Sequence, residues 1–167
     1  MTLTLISTIG GATSNAYASE ATITALLEGR PGSSAWTTAS VPTREQAIVG
    51  ATMRLEQESY AGYRASELQR LKWPRSGCYT DDGYLYSSAA MPTPLVQATA
   101  ELALSLVVNP DLLDLSGLAQ FESLSVGPIS LTTRASALYA NALPASVLSL
   151  LKGLSTSGPG MTKLVRG

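Results

Sequence analysis

The sequence predicts a mainly α protein: a helical bundle of about four helices with a small β-hairpin and an extended C-terminal arm. Three observations carry this expectation. Apolar residues recur at helical spacing in four segments, each bounded by a cap residue, glycine or proline. Residues 121–133 alternate apolar and polar side chains around a Gly-Pro step. From residue 153 onward the chain has the Gly/Ser/Pro composition of a linker, followed by a short apolar segment.

The opening, Thr2 to Asn15, reads as an extended arm with a break at Gly10-Gly11. A first helix is expected from Ser19 to Glu28, with Ser19 as N-cap, Gly29 as stop and an apolar stripe of Ile23, Leu26 and Leu27. Residues 29–42 read as a loop that holds Trp36. The second helix is expected to begin at Thr43, where Thr43 and Gln46 fit a capping box, and to run to about Tyr60. Ala47, Ile48, Ala51 and Leu55 form its apolar face, and Arg54 and Glu58 are spaced to pair on its open side.

Residues 61–92 are irregular. The Asp82-Gly83 step between Tyr79 and Leu85 signals a tight turn. The third long helix starts at Pro92 or Pro94 and ends before Asn109-Pro110. It is apolar on nearly every side, and Gln97, Glu101 and Ser105 make its single polar stripe, so it should be buried in the core or between subunits. After a loop over 109–119, Phe121–Val126 and Ile129–Thr133 read as a hairpin around Gly127-Pro128. A last helix spans about Pro144 to Lys152. The expected division is therefore one domain over 1–152 and a flexible linker with a docking tail over 153–167. Leu164 and Val165, beyond the linker, look suited to dock on a partner, and a frayed terminus accounts for the same segment equally well.

A chain of 167 residues can bury one real core. Charged residues are 14% of it, against a usual share of about a quarter. So poor a supply of solvating groups implies that much of the surface faces other protein, as in an oligomer. The net charge is −1 with no basic cluster, which argues against strong non-specific nucleic-acid binding. One cysteine, Cys78, excludes an internal disulfide. The absence of histidine removes the commonest general base, the Ser-His-Asp triad and His-based metal sites together. The N-terminus lacks the basic and apolar regions of a signal peptide, so synthesis in the cytosol is expected.

No motif for catalysis, cofactor binding or metal binding emerges, and the protein is expected not to be an enzyme. The glycine pairs lack the lysine and spacing of a phosphate loop. Asp81-Asp82 read as turn residues. Glu101, on its apolar helix, is the best candidate for a perturbed carboxylate, although a satisfied core or interface group explains it more simply. Trp73, Tyr79, Tyr84 and Tyr86, with Arg70, Lys72 and Arg75 nearby, could stack nucleic-acid bases. Packing of the long loop on the helices accounts for the same aromatics.

One segment carries a resemblance. Ala47 and Ala51-Thr52 are followed by Tyr60, Gly62 and Arg64, then Gln69, Leu71, Trp73-Pro74-Arg75 and Gly77. Asp81, Gly83, Met91-Pro92 and Ala98 with Glu101-Leu102-Ala103 complete it. This pattern resembles the small head–tail connector, adaptor or head-completion proteins of tailed bacteriophages. Some members of that group are labelled DnaT-like single-stranded-DNA-binding proteins. The likeness is specific over residues 47–107. The first helix departs from it, carrying Ala and Thr where acids are usual, and Met91 stands where Ile is common.

The resemblance implies a structural virion protein of the neck, made in the host cytoplasm. It implies a homo-oligomeric ring, usually a dodecamer, between the portal protein and a tail, nozzle or stopper protein. Genome DNA would pass through the channel without sequence-specific binding, and no membrane is involved. Met161, Lys163, Leu164, Val165 and Arg166 would dock on the portal. Gln69, Trp73, Pro74, Arg75 and Gly77 would be a structural signature: Trp73 buried, Pro74 fixing the chain's exit, and Arg75 holding loop carbonyls or a neighbouring subunit's carboxylate. The alternative is a single-stranded-DNA-binding replication accessory protein.

Overall fold

A computed structural model describes the backbone of residues 3–80, 82–113, 123–126, 129–132 and 143–156. It is mainly α, with five helices among the described residues where about four were expected. Helix α1, Glu20–Glu28, starts where Ser19 Oγ accepts the Thr22 N–H at 3.2 Å. It buries Ile23 and Leu27. The additional helix is α2, Ser34–Thr38, inside the stretch expected to be a loop. Its five residues are too few to be stable alone. They are ordered by Trp36, whose ring is fully buried and whose Nε1 donates to Thr24 Oγ1 of α1 at 2.9 Å.

Helix α3 spans Val41–Leu55, so both expected boundaries shift. Ser40, not Thr43, is the cap: its Oγ accepts the Thr43 N–H at 3.3 Å. Pro42, which has no N–H to satisfy, fits the first turn this creates. The helix stops at Leu55, and the chain turns through Glu56–Glu58 with Gln57 N–H on Arg54 O and Glu58 N–H on Leu55 O. Arg54 and Glu58 do pair, at 3.0 Å, but mostly covered and not on an open face. Tyr60 leaves the helix direction, its hydroxyl donating back to Leu55 O at 2.8 Å.

Helix α4, Thr93–Val108, is the centre of the molecule, with α1, α2, α3 and the last helix all packed on it. Leu95, Ala98, Thr99, Ala100, Leu102, Ala103, Leu104 and Leu106 are buried. Complete burial of a leucine such as Leu95 contributes about 1.5–3 kcal/mol. The Thr99 hydroxyl is satisfied by Leu95 O at 2.8 Å. Gln97 is exposed and Glu101 and Ser105 are half-buried, as a polar stripe requires. A 3₁₀ turn over Pro110–Leu113 ends this helix. Helix α5, Ala145–Leu151, buries Val147 and Leu151.

Among the described residues, two small antiparallel ladders accompany the helices. Strands β1, Tyr63–Arg64, and β2, Arg75–Ser76, pair Tyr63 with Ser76 and Arg64 with Arg75, a ladder the sequence did not announce. Strands β3, Ser123–Val126, and β4, Ile129–Thr132, pair Ser123 with Thr132 and Val126 with Ile129. They fall inside the hairpin expected over 121–133. The N-terminal arm is not extended. It closes on itself, with Ile6 N–H on Asn15 Oδ1 at 2.7 Å and Ile6 O accepting from Asn15 and Ala16, around a positive-φ Gly10.

At the other end, the last described residues are fixed in place. Leu154 is buried, Ser155 bridges to Tyr60, and Thr156 N–H donates to Ser59 O at 2.9 Å. The expected docking residues Met161, Lys163, Leu164, Val165 and Arg166 lie outside the described residues. Among the described residues, no helix is long and apolar enough to cross a membrane.

Candidate functional site

The loop joining α3 to α4 contains the signature residues, and the structure gives each a task. Gln69 is buried and ties the loop at three points. Its Oε1 accepts the Ser66 N–H at 2.9 Å, and its Nε2 donates to Leu71 O at 2.8 Å and Pro74 O at 3.0 Å. Trp73 is 0% exposed. It stands edge-on between Tyr60, with centroids 5.7 Å apart, and Tyr86, at 6.3 Å. Its indole N–H has no acceptor among the described residues. Pro74 is buried after a cis peptide bond.

Arg75 turns inward and holds loop carbonyls, the first of the two roles expected for it. Nε donates to Ala61 O at 2.6 Å and Nη2 to Gly62 O at 2.6 Å, with longer bonds to Lys72 O and Tyr60 O. A rigid planar fork suits several converging carbonyls in a way a lysine ammonium does not. The two glycines nearby both have left-handed backbone, and at Gly62 close approach excludes a side chain as well. Gly62 has φ +69°, and a Cβ there would stand 2.2 Å from Ser76 O; Gly77 has φ +73° and lies under the Tyr63 ring.

A second polar cluster locks the loop to the α3 end. Glu56 Oε1 accepts the Tyr17 hydroxyl and, at 2.8 Å, the Lys72 N–H. Lys72 Nζ donates to Glu58 O at 2.7 Å. Burial, reinforced by the Glu56 carboxylate, pushes the Tyr17 phenol far above its ordinary pKa. Burial and the Glu58 and Glu56 charges push Tyr60 the same way. Burial also raises the Cys78 thiol, with Arg75 opposing, while its Sγ donates to Ala61 O at 2.9 Å. A buried, protonated thiol is a poor nucleophile.

The candidate base-stacking set is therefore divided. Trp73 is core, and half-buried Tyr86 packs on it. Tyr79 and Tyr84 point outward at 59% and 73% exposure, joined by Tyr63 at 68%, which the sequence reading had not singled out. A Tyr79–Leu85 bridge and a Thr80–Tyr84 hydrogen bond hold the turn that carries them. Leu68 and Leu85 are exposed on the same loop, as are Arg64 and Arg70. Lys72 and Arg75, once counted toward a basic face, are spent on carbonyls. Glu101 is ion-paired, its Oε2 2.6 Å from Arg30 Nη2. This pair, between the turn after α1 and α4, is not legible from sequence.

The arrangement defines a class: a mainly α protein that presents exposed aromatic side chains on a braced loop. The particular family follows from comparison with known proteins. All of residues 1–167 match the family described as "Putative DnaT-like ssDNA binding protein", and the chain belongs to it. That is the label the resemblance led one to expect for some connector-like proteins, and the match itself makes no mention of head–tail connectors. Comparisons with curated proteins and with solved structures gave no match.

Proposed function

We propose that the protein is a non-catalytic structural subunit, a head-to-tail adaptor that forms a ring between portal and tail in a tailed phage. The observation that carries this reading is the outward face of the braced loop. Tyr63, Leu68, Tyr79, Tyr84 and Leu85 are large and exposed, on a loop braced over residues 60–74 by inward-facing Gln69 and Arg75 and closed by the Tyr79–Leu85 bridge. Fixed apolar groups in water, on a molecule with few charges, suit contact with another protein. Resemblance over residues 47–107 adds the phage neck as the setting. The mass of the purified protein, alone and mixed with portal, tests it. A closed oligomer that binds portal is expected, and a persistent monomer indifferent to portal sinks the reading.

A second reading is single-stranded-DNA binding, and the family description speaks for it over the first. Tyr63, Tyr79 and Tyr84 could stack bases, with Arg64 and Arg70 as phosphate contacts. Against it stand the net charge of −1 and the cations already committed inside the fold. A gel shift with oligo-dT decides: DNA binding that weakens steeply with salt, and falls when the three tyrosines become alanine, establishes the second reading.

A further inference from the structure

We propose that the first limb of the N-terminal arm, Leu3 to Ser7, pairs antiparallel with the same limb of a second copy of this chain, about a two-fold axis at Leu5. Hydrogen bonds alternate along this limb as they do along a strand. The even-numbered residues are tied to the rest of the arm. Thr4 O accepts from Asn15 Nδ2 at 2.8 Å, and Thr8 O accepts from the Gly11 N–H and the Ser14 hydroxyl. Ile6 uses both backbone groups, its N–H on Asn15 Oδ1 at 2.7 Å and its carbonyl for the N–H groups of Asn15 and Ala16. The odd-numbered residues form the opposite edge. Among the described residues, no backbone N–H or C=O of Leu3, Leu5 or Ser7 meets a partner. Leu3 is 40% exposed and Leu5 and Ser7 are half-buried, so this edge lies at the surface.

The edge is also unguarded. A strand edge that stays in water is usually blunted by a lysine, a proline or a bulge, because its free groups are a template for another strand. Thr2 to Ile9 contains no charged residue, no proline and no glycine, and is made of Leu, Ile, Thr and Ser. Threonine and isoleucine are strand formers. The Asn15 side chain holds the limb in shape from within, so little order is left to gain when a second strand arrives.

The spacing of the free groups selects a second copy as the occupant. In an antiparallel ladder every other residue belongs to a pair that exchanges both its N–H and its C=O bonds. Leu3, Leu5 and Ser7 have that spacing. With Leu5 opposite Leu5 of the second copy, Leu3 falls opposite Ser7 and Ser7 opposite Leu3, and every free group of both limbs is matched. One such pairing removes two unguarded edges from water, whereas a foreign strand or another segment of the same chain removes one. The register also sets no like charges against each other, since the limb has none. The pairing goes beyond the adaptor reading and does not depend on whether the outside partner is portal or DNA.

The test uses the full chain in two double variants that differ in one charge. Leu3→Lys with Ser7→Lys sets like charges opposite each other across the two-fold axis, and Leu3→Lys with Ser7→Glu sets opposite charges there. Sedimentation should show pairing weakened about tenfold or more in the first relative to the second. Equal pairing by both overturns the proposal. Amide exchange on the unaltered chain is an independent measurement. Leu5 and Ser7 should exchange about tenfold more slowly in the paired fraction than in the monomer obtained by dilution, while Ile6 is unchanged. Equal rates at Leu5 and Ser7 in the two fractions, whether fast or slow, overturn the proposal as well, slow exchange in the monomer placing the partner strand within the chain.

Discussion

The α4 layer and the loop from Tyr60 to Tyr86 both contain fully buried side chains, but they are held by different forces. Around α4, aliphatic residues at helical spacing fill space against four other helices, and the backbone satisfies itself. In the loop the backbone has little ladder of its own: among the described residues, the two-residue β1–β2 pair and single bridges such as Tyr79–Leu85. Several of its carbonyls are reached by side chains, those of Gln69 and Arg75, while Lys72 reaches Glu58 O just before the loop. Packing by apolar area is non-directional and tolerates exchange among similar residues. Packing by convergent donors is directional and specifies particular residues.

The largest effect should come where the loop uses the same force as the helices. Trp73→Ala should cost about 3–5 kcal/mol in denaturant unfolding, comparable to Leu95→Ala at about 2–5 kcal/mol. A loss under 1 kcal/mol for Trp73→Ala would mean that its burial does not stabilise the loop. Arg75→Ala comes next, at about 2–3 kcal/mol, because Ala61 O and Gly62 O lose charged donors. Arg75→Lys should recover little, since one ammonium cannot reach the spread of carbonyls. Full recovery by lysine would show that charge, not the fork, matters.

A smaller effect is set by pH. Tyr17 and Tyr60 have phenol pKa values raised above the ordinary value of about 10. The folded state therefore holds these protons more tightly than the unfolded chain. Their contribution is complete below about pH 10 and is lost as pH rises through and beyond it. Unfolding measured from about pH 9 upward should show this loss, and Tyr17→Phe should flatten it. An unaltered slope in Tyr17→Phe would assign the alkaline sensitivity elsewhere. The smallest stability effect is expected at the rim. Tyr84→Ala should stay within about 0.5 kcal/mol while weakening capture of the outside partner, read by pull-down or gel shift.

The same contrast explains what could be read from the sequence. Helix α4 was legible almost to the residue because Pro94 and Asn109-Pro110 punctuate it and its apolar pattern is local. The start of α3 was misplaced by hydroxyl competition: Ser40 and Thr43 can both cap, and Pro42 in the first turn decides between them. Helix α2 was not legible, because Pro31-Gly32 marks a loop and the helix depends on Trp36 meeting Thr24 and α4. In the loop, burial of Trp73 was anticipated, and the inward role of Arg75 was one of two expected for it. The separation of Trp73 and Tyr86 from exposed Tyr79 and Tyr84 was not, since it depends on where Tyr60 comes to rest. Arg30 and Glu101 are far apart in sequence and only the bundle brings them together.

The bridge between Tyr60 and Ser155 also sets a mechanical path. Ala61 N–H donates to Leu154 O, and Ala61 O accepts from Arg75 and Cys78. Thr156 N–H is bonded to Ser59 O beside it. A pull on the C-terminus would therefore load these parallel bonds together before it reached α5. Tension would pass into the carbonyls that Arg75 clamps, and from there to the turn bearing the exposed tyrosines. Tail and aromatic face would feel the same strain.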